Sequence, residues 1–339
     1  MDTLAVKLLD GSRRALARTL THVENDMPDS AAILRDLFPH TGHAQIIGIT
    51  GAPGTGKSSL VNALTLAYRQ RGKTVAIVAV DPTSPFSGGA ILGDRIRMRD
   101  LSGDTGIFIR SMATRGSLGG LSRKTRDAIR VLDAAGFDVI LVETVGAGQS
   151  EVDIVRMAQT TLVIEAPGLG DDVQAIKAGI LEIADILVVN KADRDGANAT
   201  ERALKAMLDL GHPVSRTQIL DHHGQMMALE TTSTSEDDSG SLWITPVVRT
   251  VATASQGIDE LLKTINAHQM YIRQSDRFEQ LEQQRIQIEL VERLRDVMIA
   301  RILDKLPEQV LHEMTERIHT RELDPQAAID HILQEQQLV

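Results

Sequence analysis

The chain has 339 residues, a length that suits about two domains of ordinary size. Its 36 Lys and Arg against 46 Asp and Glu leave a net charge of −10, and aromatics make up 2%. That balance disfavours a nucleic-acid binder or a protein held on anionic lipid, and the absence of cysteine excludes disulfides and thiolate metal sites.

The opening, MDTLAVKLLDGSRR, lacks the charged-then-apolar layout of an export signal, and no apolar run approaches the ~20 residues that span a bilayer. A cytoplasmic protein without membrane or nucleic-acid partners is expected. Residues 1–43 read as an N-terminal helical segment, because Leu4, Leu8, Leu16, Leu20 and Val23 recur at helical spacing among charged residues. From residue 45 the pattern changes to short apolar runs separated by helix-length stretches. These runs are QIIGIT (45–50), TVAIVAV (74–80), DVILVE (138–143), TLVIEA (161–166), DILVVN (185–190) and PVVRTV (246–251). Apolar on both faces, they suit strands covered by helices above and below. Their rhythm predicts an α/β fold with a mainly parallel sheet sandwiched by helices, over residues 44–270.

Residues 221–242 turn polar and acidic and read as a solvated loop. From Gly257 helical periodicity returns, broken near Pro307 and Pro325. Within it Ile286, Leu290, Leu294 and Val297 fall on one side, while Ile288, Val291, Met298, Ile299 and Ile302 fall on another. A helix with two apolar faces must bury both. A C-terminal helical arm over 271–339 is therefore expected to pair with a second copy of the chain, or to be fully internal to one subunit.

The chemistry begins at GITGAPGTGKSSL, where Gly51, Ala52, Pro53, Gly54, Thr55, Gly56, Lys57, Ser58 and Ser59 follow a strand and open a helix expected near 57–71. This is the GxxxxGK[ST] phosphate loop of P-loop NTPases in its proper context. Glycines let backbone N–H groups approach phosphate, and the helix N-terminus adds a positive dipole end. Lys57 supplies a point charge for the β/γ oxygens, and the Ser58 hydroxyl suits a Mg2+ ligand.

The base is read further along. DILVVNKAD ends a buried strand in Asn190, Lys191, Ala192 and Asp193, about 135 residues after Lys57. The Asp193 carboxylate can accept from guanine N1–H and its exocyclic amine, donors that adenine does not offer there. Lys191 would lay its methylenes against the base, and Asn190 would tie this loop to the phosphate loop. Val251, Ala252 and Thr253, from the last residue of PVVRTV onward, form the expected second base-side loop. The expected ligands are GTP and GDP.

DVILVETVGAGQSE delivers Glu143 at a strand tip, followed by Gly146, whose N–H can sense a γ-phosphate. Asp81 closes the second strand and Asp94 lies in a glycine-rich stretch, SGGAILGDRIRM. Three carboxylates near one phosphate site require a divalent cation, and Mg2+ suits oxygen ligands. Ser58, Asp81, Asp94 and Glu143 are thus the expected metal set. Residues 94–130 also hold nine Arg and Lys against four Asp, either a solvated face or charge aimed at the triphosphate or an acidic partner. Ala147 stands where Ras-like enzymes carry their water-orienting Gln, and Gln149 lies two residues on, so intrinsic hydrolysis is expected to be slow or to depend on other residues or a partner.

Taken together, GAPGTGKSSL, VDPTSPFSGGAILGDRIRM, VETVGAGQSEVDI, NKAD and the late GIDEL resemble the MeaB/ArgK GTPases, over essentially the whole chain. These are chaperones of adenosylcobalamin-dependent acyl-CoA mutases such as methylmalonyl-CoA mutase. The resemblance implies a homodimer that gates cofactor loading or release on such a mutase. It implies that Asp81, Asp94 and Glu143 surround Mg2+ and the attacking water, so that Lys57, Asp94 and Glu143 serve catalysis. It also implies that APGLGDDVQAIKAG is a third switch, which makes Lys177 a candidate for contact with partner or active site. Two alternatives use the same phosphate loop: a small-molecule kinase, which would usually lack NKxD, and a nickel-insertion GTPase, which would need His/Cys clusters. The only adjacent His pair here is His222-His223.

Overall fold

The computed structural model describes residues 3–82, 101, 103–114, 120–144, 154, 157–168, 183–210, 243–274 and 277–335. The chain divides into two compact units, Met1–Phe278 and Glu279–Val339.

The first unit opens with α1 (Thr3–Leu9), α2 (Arg13–Glu24) and α3 (Ser30–Leu37). Seven parallel strands follow among the described residues: β1 (Gln45–Thr50), β2 (Val75–Pro82), β3 (Ile107–Thr114), β4 (Val139–Thr144), β5 (Thr160–Glu165), β6 (Ile186–Val189) and β7 (Val247–Arg249). Their spatial order is β3-β2-β4-β1-β5-β6-β7. The helices between them are α4 (Lys57–Gln70), α5 (Gly120–Ala134), α6 (Ala197–Leu210) and α7 (Ile258–Gln274). This is the expected α/β architecture.

Every residue of β4, β5 and β6 is buried, as a sheet covered on both faces requires. On one face Leu60 and Leu64 of α4 and Leu261, Leu262 and Ile265 of α7 pack with Ile47, Ile49, Ile77 and Leu141. On the other, Leu16 and Leu20 of α2, Ile33 of α3 and Leu132 of α5 pack with Ala76, Val78, Ile140 and Val142. The N-terminal helices are therefore part of the sheet's cover. Their junction with β1 is pinned by Asp133, whose buried carboxylate accepts from the N–H groups of Gly42, His43 and Ala44 at 2.5, 3.1 and 2.8 Å.

Strand β3 is absent from the sequence expectation. IFIRSMAT is interrupted by Arg110 and Ser111, and the strand lies at the sheet edge, where continuous apolar character is not demanded. Arg110 bonds to Glu24 of α2, while Arg123 and Lys124 of α5 reach Asp26 at 2.8 and 2.9 Å. These cations of the basic stretch 94–130 thus face acids of the same chain.

The second unit is helical, with α8 (Arg277–Lys305), α9 (Glu308–His319) and α10 (Pro325–Glu335). Pro307 caps α9 and Pro325 opens α10, positions where a missing N–H costs nothing. Leu306, Met314 and Ala328 are buried. Ile286, Leu290, Leu294 and Val297 are exposed, and so are Val291, Met298 and Ile299 from the second apolar face. Among the described residues no helix is long and apolar enough to cross a membrane. The acidic stretch within 221–242 lies outside the described residues.

Candidate functional site

The central strand β1 runs into the loop Gly51–Gly56, and Lys57 is the first residue of α4. Two glycines shape this turn. Gly51 has φ +138°, and a Cβ there would lie 2.2 Å from the Ile164 carbonyl oxygen of β5. Gly56 has φ +93°, and its Cβ would meet Asn190 Nδ2 at 2.5 Å. Only glycine fits either place. Lys57 is buried, and its ammonium donates to the Gly51 and Ala52 carbonyls at 2.7 and 3.0 Å. The Thr55 hydroxyl donates to the Ala52 carbonyl at 2.9 Å. A compact turn carrying a fixed positive charge at a helix N-terminus is suited to a polyphosphate.

A hydroxyl–carboxylate pair is built across the β1–β4 pair. Ile49 is in register with Glu143, so β4 brings its carboxylate beside the start of α4. There Ser58 Oγ donates to Glu143 Oε1 at 2.6 Å, with Glu143 4% exposed. A hydroxyl and a carboxylate at one point are hard oxygen donors of the kind Mg2+ accepts. Ala79 of β2 pairs with Glu143, which places the backbone of Asp81 at the same end of the sheet; its side chain lies outside the described residues. Asp94, Gly146 and Lys177, together with Ala147 and Gln149, also lie outside them.

The opposite flank of the loop converges on Asn190, which is 2% exposed at the end of β6. Its Nδ2 donates to the carbonyls of Thr55 and Gly56 at 2.9 and 3.4 Å. Its Oδ1 accepts from Thr250 Oγ1 at 3.1 Å and from the Ala252 N–H at 3.2 Å. One amide thus joins three loops. Lys191 adopts φ +55°, and its ammonium reaches the Gly54 carbonyl at 2.6 Å. The Ala192 N–H donates to the Thr250 carbonyl at 3.1 Å, and Asp193 is left exposed on the turn. Val251 and Ala252 are buried and Thr253 is exposed. Between this turn and α4 lies a cavity of about 300 Å³ lined by Ser58, Ser59, Asn62, Leu66, Thr253 and Ser255 among others. Arg249, beneath the turn, pairs with Glu201 of α6. Lys205 and then Arg249 hold the Glu201 carboxyl below the usual carboxylate range.

The structure therefore brings together the phosphate loop, Glu143, Asn190, Lys191 and the 251–253 turn. Thr250 escapes the sequence reading. Buried and bonded to both Asn190 and Ala192, it holds two loops at once, yet a threonine closing a strand carries no distinctive signal.

A parallel sheet whose central strand feeds a GxxxxGKS loop into a helix defines a P-loop NTPase. The family model described as methylmalonyl Co-A mutase-associated GTPase MeaB matches residues 16–306. A protein of Pyrococcus abyssi that carries a GTPase name is 46% identical over 335 residues, covering 99% of this chain and 96% of that protein. GTPase ArgK of Escherichia coli is 36% identical over 282 residues, 82% of this chain and 78% of ArgK. A crystal structure described as a LAO/AO transport system kinase superposes with a TM-score of 0.66 at 25% identity, covering 98% of this chain and 96% of that one. The chain belongs to the MeaB family of GTPases.

Proposed function

We propose that this protein is a GTP-hydrolysing chaperone of an adenosylcobalamin-dependent acyl-CoA mutase of the methylmalonyl-CoA mutase type, acting as a cytoplasmic homodimer. The observation that carries the nucleotide reading is the four-bonded Asn190, which locks the phosphate loop to both base-side loops. The family description supports the mutase as partner.

In this reading residues 44–270 form the nucleotide-binding body, with 1–43 as its helical cover. The backbone of Gly51–Ser58 and the N-terminus of α4 hold the β-phosphate. Lys57 exchanges its bonds to the Gly51 and Ala52 carbonyls for phosphate oxygens, a short swing of one ammonium. Mg2+ would be held by Ser58 and by the carboxylates of Glu143, Asp81 and Asp94, where it would neutralise charge on the β/γ oxygens. Gly146 reports on the γ-phosphate, and Lys177 acts in the third switch. Asp193, exposed and able to face an incoming base, reads guanine, with the 251–253 turn on the base's other edge. The exposed apolar faces of α8, within the arm 271–339, form the dimer contact.

The two phosphate states would present different surfaces to the mutase, and reciprocity then requires the mutase to alter nucleotide affinity. The test is turnover and GTP affinity measured with and without candidate acyl-CoA mutases, with co-purification in a non-hydrolysable GTP analogue. A mutase that shifts either quantity is the expected result. If no candidate shifts them, the chaperone role is wrong, and labelled γ-phosphate on a metabolite rather than as free phosphate would indicate a kinase.

A further inference from the structure

Glu143 and its successor Thr144 are consecutive residues at the tip of β4, so their side chains leave opposite faces of the sheet. Each makes a side-chain hydrogen bond to a residue that flanks the phosphate loop. On the α4 face Ser58 Oγ donates to Glu143 Oε1 at 2.6 Å. On the opposite face Thr144 Oγ1 donates to Thr50 Oγ1 at 3.0 Å, and both threonines are buried, at 2% and 0% exposure. Thr50 is the last residue of β1 and immediately precedes Gly51, whose carbonyl accepts from Lys57. The β4 tip is therefore fastened, on either face, to the residues that flank the phosphate loop.

A valine at either position would keep the shape of the side chain, preserve the packing and suit a strand better than threonine. The hydroxyls must instead find each other inside the sheet, one residue along β4 from the carboxylate that faces Ser58 and on the opposite face. Two buried hydroxyls with one mutual bond add little net stability, so their value lies in fixing where Glu143 sits relative to Lys57 and Ser58.

We propose that Thr50 and Thr144 are a positioning pair that sets the Glu143 carboxylate for the metal-bearing form of the nucleotide site. The inference rests on the nucleotide reading above. Neither threonine touches the ligand; they act through the tip of β4. The step at stake is the gain in GTP affinity on adding Mg2+, which requires Ser58 and Glu143 to be correctly spaced. Binding without the cation depends on the phosphate loop and the base loops alone.

The test uses the full chain and its Thr50→Val, Thr144→Val, doubly substituted and Thr144→Ser forms. Affinity for a non-hydrolysable GTP analogue is measured calorimetrically with Mg2+ and with EDTA, and thermal unfolding reports on the fold. Each valine variant should lose about 5-fold of the Mg2+-dependent gain, the size of one buried hydrogen bond, with EDTA affinity unchanged. The double variant should lose no more than either single one, because both remove the same bond. Thr144→Ser should restore the gain. An equal loss with and without Mg2+, an unchanged gain, or effects that multiply in the double variant would overturn the pairing. Should one valine variant fail to fold, the other carries the same comparison. If the unsubstituted chain binds no guanine nucleotide, the parent reading fails as well, which separates that failure from this one.

Discussion

Replacing Asn190 by alanine tests how the three loops are joined. The side chain is 2% exposed and makes four hydrogen bonds, two as donor to Thr55 and Gly56 and two as acceptor from Thr250 and Ala252. Removing it strips the acceptor from a buried backbone N–H and a buried hydroxyl. Each orphaned group costs about 1–3 kcal/mol, although the Thr250 hydroxyl can rotate to recover part of this. A net loss of about 3 kcal/mol is expected, which lowers Tm by about 5–10 °C in a domain of this size. Differential scanning calorimetry of the nucleotide-free variant reads this directly. Guanine-nucleotide affinity should fall as well, because Asn190 ties the phosphate loop to the turn that carries Thr250 and Ala252. A Tm within about 1 °C of the parent, with affinity preserved, would refute the claim that this amide unites the loops.

Asp193→Asn is the matching control. Asp193 is exposed, so Tm should not move, while the donor and acceptor pattern facing the base is reversed at one atom. Guanine preference should then fall and xanthine nucleotides should gain, measured by competition binding; unchanged guanine preference would remove Asp193 from the site. Leu294→Glu, on one exposed apolar face of α8, should convert the proposed dimer to a monomer by light scattering while helical circular dichroism is unchanged. A dimer that survives both this substitution and Met298→Glu, on the second apolar face, would exclude α8 as the contact. Acid should destabilise the fold through defined carboxylates. Arg69 and the Gly106 N–H hold Asp104 below the usual carboxylate range, and Lys205 and Arg249 do the same for Glu201. Both contribute stability above their unfolded value of about 4 and lose it as pH falls through the lower folded values. Tm should therefore drop below about pH 4, and less steeply in Asp104→Asn.

Legibility in the sequence follows the range of the interaction. The phosphate loop can be read because strand, glycines, lysine and helix are adjacent, and each residue has a local reason to be there. Asn190 can be tied to that loop across the chain only because its motif carries the geometry with it. The contacts of Thr50, Thr144 and Thr250 cannot be found this way, since each is set by strand register, and register brings together residues far apart in the chain. The cations Arg110, Arg123 and Lys124 are visible as a basic stretch, but their destination, Glu24 and Asp26, depends on how α2 lies over the sheet. Strand β3 stays hidden for the related reason that an edge strand tolerates polar interruptions that a central strand does not.

Calorimetric titration of the full chain with GTP and ATP analogues, in Mg2+, tests the nucleotide assignment most directly. A site that satisfies guanine's donors with Asp193 should prefer the guanine nucleotide by at least ~100-fold, and Lys57→Ala should abolish that binding. Equal affinity for the two nucleotides, or full binding by Lys57→Ala, would contradict it.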